Sequence, residues 1–256
     1  VIYGQRSYTW RELRRRVRRM AGALEAAGVA RGDTVSVIAA NTPELLEAHF
    51  GVPLLGAVLN AINFRLDPDT VAYILQHSDC RVLLVDTEFA PLIEQALSGV
   101  PDKPRIIEIV DAGSASGLPP SGGYPVYEDW LEAADEYTGP GLPETEYDAI
   151  ALNYTSGTSG RPKGVVYHHR GAYLMALGTV AAWQLPRHPR YLYTVPMFHC
   201  NGWCHVWAMT IMAATFVCHR KITADSVFAA LREHRITHFG AAPIVLAMLA
   251  REAGGR

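Results

Sequence analysis

Between Thr155 and Lys163 the chain gathers four hydroxyl side chains, Thr155, Ser156, Thr158 and Ser159, around Gly157 and Gly160, with Lys163 at the exit. Hydroxyls donate hydrogen bonds, glycine lets backbone amides approach an anion without a Cβ in the way, and an ammonium is a compact positive charge. That set suits a polyphosphate. The flanking runs Ala149-Ile150-Ala151-Leu152 and Val165-Val166-Tyr167 are short and apolar, so the loop is expected to join two strands. It is not the common phosphate loop that opens a helix, because Gly157 and Gly160 stand too close, Pro162 precedes Lys163 and Gly164 follows it. A plain polar hairpin loop is the alternative; the density of hydroxyls and the lysine favour phosphate.

A second block, Pro196-Met197-Phe198-His199-Cys200-Asn201-Gly202-Trp203-Cys204-His205, interleaves aromatic rings with imidazoles and thiols. Its Cys-to-Cys spacing is one residue too long for haem attachment. No second Cys/His pair stands at the spacing of a structural zinc site, so no metal is expected there, and Cys200 and Cys204 read as small buried residues. His49, His77, His188 and His238 have no partner at a useful spacing and read as surface or satisfied core residues.

Tyr154 to Gly164, YTSGTSGRPKG, resembles the AMP-binding signature of the adenylate-forming superfamily, which includes acyl-CoA synthetases, peptide-synthetase adenylation domains and luciferases. The Pro196–Gly202 block and Leu59-Asn60-Ala61-Ile62-Asn63-Phe64-Arg65-Leu66 are similar to further blocks of that superfamily. Tyr167 to Tyr173, YHHRGAY, together with FHCNGWC, looks closest to medium-chain acyl-CoA ligases of the methylmercaptopropionate-CoA ligase type. The resemblance implies an ATP-dependent acid–CoA ligase: a carboxylate and ATP give an acyl-adenylate and pyrophosphate, and CoA then takes the acyl group. It implies ATP, Mg2+ and CoA, with Thr155, Ser156, Gly157, Thr158, Ser159, Gly160 and Lys163 on the phosphates and Thr158, Lys163 and His199 as catalytic residues. Phe198, His199, Trp203 and Ala241 would form the acyl pocket, Ala241 by the order of the Gly240-Ala241-Ala242-Pro243 turn. An amino-acid adenylation domain and a nucleotide-binding relative without turnover are the alternatives. In the superfamily an adenine-binding segment, a ribose-holding Asp and a small lid domain with a lysine follow further downstream. The chain is therefore expected to be an N-terminal portion that does not complete the reaction alone.

Positioning such a loop takes a scaffold, and 256 residues, 49% of them apolar, are enough to build one. A formal net charge of −2 argues against a general nucleic-acid binder, and no apolar run is long enough to span a membrane. Four scattered cysteines do not make a disulfide scaffold and suit a cytoplasmic setting. The partners expected are a small carboxylate, ATP and CoA, with a homodimer as an assembly open to the protein.

Thr9 and Glu12 form a capping box ahead of Trp10, Leu13, Val17, Met20 and Leu24 at helical spacing, and the arginines at 11, 14, 15, 18 and 19 read as a solvated face. Strands at 34–39, 57–60, 81–85 and 105–110 alternate with helices at 44–55, 69–76 and 89–97, the pattern of a parallel sheet covered by helices. Beyond the loop come a helix at 170–183, a strand at 191–195, a helix at 224–234, a strand at 236–239 and a helix at 243–252. The fold class is α/β, and the resemblance implies the layered α-β-α-β-α large-domain fold, incomplete and without the lid. Two subdomains are expected, 1–140 and 141–256, the second carrying the phosphate loop and the acyl-pocket block.

Overall fold

The computed structural model describes residues 1–111, 119–155 and 160–253. Its elements in order are β1 (Ile2–Tyr3), β2 (Arg6–Ser7), α1 (Trp10–Ala26), β3 (Thr34–Ile38), α2 (Pro43–Leu54), β4 (Val58–Ala61), α3 (Pro68–His77) and β5 (Cys80–Asp86). Then come α4 (Ala90–Leu97), β6 (Arg105–Ile109), α5 (Tyr127–Glu132), β7 (Ala149–Thr155), β8 (Lys163–His168), α6 (His169–Ala182) and β9 (Arg190–Tyr193). The order closes with α7 (Cys200–Trp203), α8 (His205–Ile211), β10 (Thr215–Cys218), α9 (Ala224–Glu233), β11 (His238–Phe239) and α10 (Pro243–Ala253).

The first sheet runs β6-β5-β3-β4-β7-β8, parallel throughout except that β8 returns antiparallel along β7. Its inner strands are buried on both faces, and the period of two decides which side chain goes where. Val35, Val37, Val82 and Leu84 face one core, with α1, α2 and α5 residues such as Met20, Leu45 and Leu131. Ile38, Leu83 and Val85 face the other, under α3 and α4 through Val71, Ile74 and Ile93.

The second sheet runs β11-β9-β10-β1-β2, with β2 antiparallel to β1 and the other pairs parallel. Tyr191, Tyr193 and Phe216 turn inward to the core shared with the first sheet, while Leu192 and Val217 turn out to α9 and α10. The result is helices, sheet, helices, sheet, helices, the layering expected. Sheet membership crosses position 140 in both directions: residues 2–7 join the second sheet and the hairpin 149–168 joins the first. Subdomains at 1–140 and 141–256 remain a proposal about folding units.

The α1 capping box is present: Glu12 takes the Thr9 backbone N–H at 2.7 Å, and Thr9 Oγ1 takes the Glu12 backbone N–H at 3.2 Å. The arginine face is less solvated than its sequence suggests. Arg16 reaches in to the buried Glu47 carboxylate at 2.6 Å, where the Tyr127 hydroxyl also donates at 2.7 Å, and Arg18 donates to the Tyr137 carbonyl. Arg220, just past β10, is the main polar tie between the sheets, reaching Asp86 at 2.7 Å, Asp111 at 2.8 Å and Glu88 at 2.5 Å.

Five short elements were not legible in the periodicity: β1 and β2, too short to show a pattern, and α5, α8 and β10, which sit in loops or in the Cys-rich block.

Candidate active site

Strands β7 and β8 form the hairpin that carries the hydroxyl-rich loop. Asn153 pairs with Val165, Tyr154 with Gly164 and Thr155 with Lys163, so Thr155 and Lys163 stand opposite one another at its mouth. Gly160 has φ +127 and open space where a Cβ would be. Thr155, Gly160 and Lys163 are exposed. Ser156, Gly157, Thr158 and Ser159 lie outside the described residues. The C-terminal end of α3 holds both stems: His77 Nδ1 shares a hydrogen bond with the Tyr154 hydroxyl at 2.7 Å, and the Arg161 guanidinium lies 5.2 Å over the Tyr73 ring.

The block after β9 folds as a left-handed turn. Cys200, Asn201, Gly202, Trp203 and Cys204 have φ of 46, 45, 57, 57 and 59. A left-handed non-glycine residue costs about 1–2 kcal/mol, so four such residues within five positions need outside support. Gly202 meets a second demand, since a Cβ there would fall 2.9 Å from the Tyr193 hydroxyl.

The support is a set of buried amides. Asn41 donates to the carbonyls of Tyr193 at 3.1 Å and Val195 at 2.9 Å and accepts the Met197 N–H at 2.8 Å, which fixes the entry to the turn. Asn153 Nδ2 donates to Asn201 Oδ1 at 2.6 Å, and Asn201 Nδ2 lies 3.2 Å from His49 Nε2. His49 Nδ1 lies 2.7 Å from the Leu45 carbonyl. A carbonyl only accepts, so Nδ1 carries the proton and Nε2 accepts from Asn201. Burial pushes the His49 pKa down to about 4, which keeps this ring neutral.

Three sequence blocks thus meet at one cavity of about 280 Å³, lined by Asn60, Ile62 and Asn63 of the 59–66 block, Asn153 and Thr155 of the hairpin, and Phe198 and His199 of the turn. Phe64 braces the wall, stacked on Phe89 at 4.5 Å and edge-on to Phe198 at 5.0 Å. Asn60 Oδ1 and Asn153 Oδ1 are buried without a hydrogen-bond partner, so the wall offers acceptors. Among the described residues, no aspartate or glutamate lines it. On the other side of the turn a second cavity of about 420 Å³ is lined mainly by apolar groups, among them Val166, Met175, Trp203 and Cys204.

The candidate residues therefore separate. Phe198, His199 and Thr155 face the smaller cavity and Trp203 the larger, while Lys163 and Ala241 line neither. The Gly240–Ala241 turn instead abuts His205 and Trp183, and the Thr194 hydroxyl donates to the Gly240 carbonyl. His205 hydrogen-bonds the Tyr191 hydroxyl at 2.5 Å among aromatic rings, and burial pushes its pKa to about 4. Among the described residues, no three or more His, Cys, Asp or Glu gather as a cation site.

The family model described as AMP-binding enzyme matches residues 1–256. The chain belongs to this family. It is 45% identical over 256 residues to the acetate/butyrate–CoA ligase AAE7, peroxisomal, of Arabidopsis thaliana, covering 96% of this chain and 45% of that protein. It is 37% identical over 259 residues to the 2-methylpropanoate–CoA ligase CCL4 of Humulus lupulus, covering 99% and 47%. Among solved structures, the anthranilate CoA ligase AuaEII in complex with anthranoyl-AMP matches with a TM-score of 0.85 at 28% identity, over 96% of this chain and 47% of that one. The N-terminal domain of FACL13 from Mycobacterium tuberculosis matches with a TM-score of 0.80 at 28% identity, over 94% and 57%. The chain spans less than half the length of the two ligases AAE7 and CCL4.

Asn41, His49, Asn153 and Asn201 escaped the sequence reading. Their one signal was polarity inside apolar runs, as in Ala48-His49-Phe50 and Leu152-Asn153-Tyr154, where a buried polar group implies a partner.

Proposed function

We propose that the protein carrying this chain is an ATP-dependent acid–CoA ligase acting on a short- or medium-chain carboxylic acid. The observation that carries this reading is the meeting of the hairpin that bears the hydroxyl loop, the 59–66 block and the His199 turn at one cavity of about 280 Å³. The names of the relatives, which act on acetate, butyrate and 2-methylpropanoate, point to small uncharged acyl groups.

In the first step a carboxylate oxygen bonds to the α-phosphorus of ATP as the bond to the bridging oxygen breaks, and pyrophosphate leaves with its electron pair. Two anions must meet, so the chain's task is to offset repulsion. We assign Thr155, Ser156, Gly157, Thr158, Ser159 and Gly160 to donate hydrogen bonds to the phosphates, and Lys163 to stabilise charge on the departing pyrophosphate. His199 orients the carboxylate, and Phe198 walls the site. Trp203 faces the larger apolar cavity, which we take as room for the acyl chain. Ala241 is assigned with them to the acyl pocket, although it lines neither cavity. Mg2+ supplies charge neutralisation; with no carboxylate in the cavity wall, the chain's contribution to holding it would be hydroxyls, the phosphates supplying the rest. The acyl group then passes from AMP to the CoA thiol.

The aromatic Phe198 and Trp203 that line the two cavities suit an apolar acyl chain better than the ammonium of an amino acid. Four free cysteines suit a cytoplasmic protein, whereas the peroxisomal names of two relatives make the peroxisome the competing address; imaging the tagged whole protein separates them. We carry a homodimer forward on the exposed Tyr173, Leu174 and Met175 of α6, to be tested by light scattering.

The direct experiment incubates the whole protein with ATP, Mg2+, CoA and single acids and identifies the thioester by mass. Butyryl- or hexanoyl-CoA is expected. No thioester from any C2–C8 acid, or a preference for amino acids, overturns the reading.

A further inference from the structure

His49 sits in the middle of α2, 1% exposed, and lines neither cavity. A buried imidazole in a helix with Leu45, Leu46 and Val52 needs a reason, since an apolar side chain would fill the same space without a polar group to satisfy. Only its hydrogen bond to Leu45 serves its own helix. Its other partners are Asn201, at the centre of the left-handed turn, and the Met197 backbone at the entry to that turn.

Asn201 is 0% exposed and uses both ends of its amide. Its Nδ2 donates to His49 and its Oδ1 accepts from Asn153, which itself lines the smaller cavity. The Leu45 carbonyl sets the tautomer of His49, the unprotonated Nε2 sets which way the Asn201 amide faces, and Asn201 Oδ1 sets which way Asn153 faces. Each group admits one orientation once its predecessor is fixed. The last atom of the series is Asn153 Oδ1, buried and unpartnered at the cavity. His199 immediately precedes the turn that Asn201 anchors, and Trp203 follows two residues later, one facing each cavity.

We propose that His49 is a positioning residue for the carboxylate side of the site, which through Asn201 holds the 200–204 turn in its left-handed form and fixes the amide of Asn153 as an acceptor in the cavity wall. The proposal rests on the ligase reading above and adds a residue on a helix remote from the phosphate loop. It assigns His49 to acid binding and not to ATP binding, because the ring's links run to the turn and the cavity wall and none runs to Lys163 or Gly160. The ring also packs edge-on to Trp207 at 6.0 Å, a contact that phenylalanine would keep.

The test uses the whole protein and compares wild type, His49→Phe and His49→Gln in acid-dependent exchange of pyrophosphate into ATP. His49→Phe leaves the Asn201 donor buried without an acceptor and is expected to raise KM for butyrate about tenfold while leaving KM for ATP within about twofold. His49→Gln, whose carbonyl can accept from Asn201, is expected to recover most of the loss. An unchanged acid KM in His49→Phe, or an equal rise in both KM values, overturns the proposal. A wild type inactive with every acid overturns the ligase reading instead. The ring tautomer, read by nitrogen NMR of histidine-labelled wild type with the His49 signal assigned by its loss in either variant, needs neither turnover nor a folded Phe variant. A proton on Nδ1 supports the relay, and one on Nε2 overturns it.

Discussion

Lys163 and Thr155 face each other across the last rung of a hairpin, where neither has a core to pack against. Replacing Lys163 with alanine is therefore expected to leave the fold intact and to cost on the order of 3 kcal/mol of barrier to adenylation, about a hundredfold in kcat/KM for ATP. Steady-state kinetics alongside a melting curve checks both halves; unchanged ATP kinetics would remove the phosphate assignment. Two buried histidines contribute to the pH response. His49 and His205 both have pKa values lowered to about 4 by burial. Between pH 6.5 and 4 the unfolded chain binds protons at these rings and the folded chain does not, so their contribution to stability falls on acidification through that window, by up to about 1.4 kcal/mol per pH unit for each histidine, against an opposite contribution from Glu47, whose pKa burial raises to about 7. Denaturant titrations at stepped pH, compared with His49→Gln, would show the variant with a shallower slope.

At the scale of elements, the hairpin and the alternating strands and helices were readable because they obey simple periods. Val35, Val37 and Ile38 alternate between two cores, and Thr9 with Glu12 announces α1. The turn at 200–204 was not readable. Its left-handed backbone is favoured by no local propensity except those of Asn201 and Gly202, and what holds it comes from Asn41, His49 and Asn153, far away in sequence. The same cause hid Arg16, whose partner Glu47 lies on another helix. Gly202 is where the turn is most exposed to mutation. An alanine there meets the Tyr193 hydroxyl at 2.9 Å and keeps a φ of +57, so Gly202→Ala is expected to lower stability by about 1–3 kcal/mol and to disturb acid binding more than ATP binding. Equilibrium unfolding measures the first, and separate KM values the second; a neutral substitution would show that the turn is not held as described.

Over the whole molecule, two sheets share one core, and Arg220 is the charged bond between them. It carries Asp86 from the end of β5, Asp111 from beyond β6 and Glu88, and the Tyr3 hydroxyl of the second sheet joins it on Asp111. Taking away the cation strips the buried Asp86 of its charged partner and weakens the cluster around Asp111, so Arg220→Ala is expected to cost about 3–5 kcal/mol, far more than Arg14→Ala on the exposed face of α1, when both are unfolded in denaturant. The layering of the molecule followed from the family resemblance; this link did not, because Arg220 lies in a loop and its partners are distant in the chain. The layering matters to the account because it brings the 59–66 block and the hairpin, both of the first sheet, against the turn that follows β9 of the second. The central claim, that this meeting place activates a carboxylate with ATP, is tested most directly by isotope exchange without CoA. Whole protein with ATP, Mg2+, labelled pyrophosphate and butyrate should return label to ATP, and should not do so when butyrate is left out. Exchange that is absent with every C2–C8 acid, or that proceeds equally without acid, would contradict it.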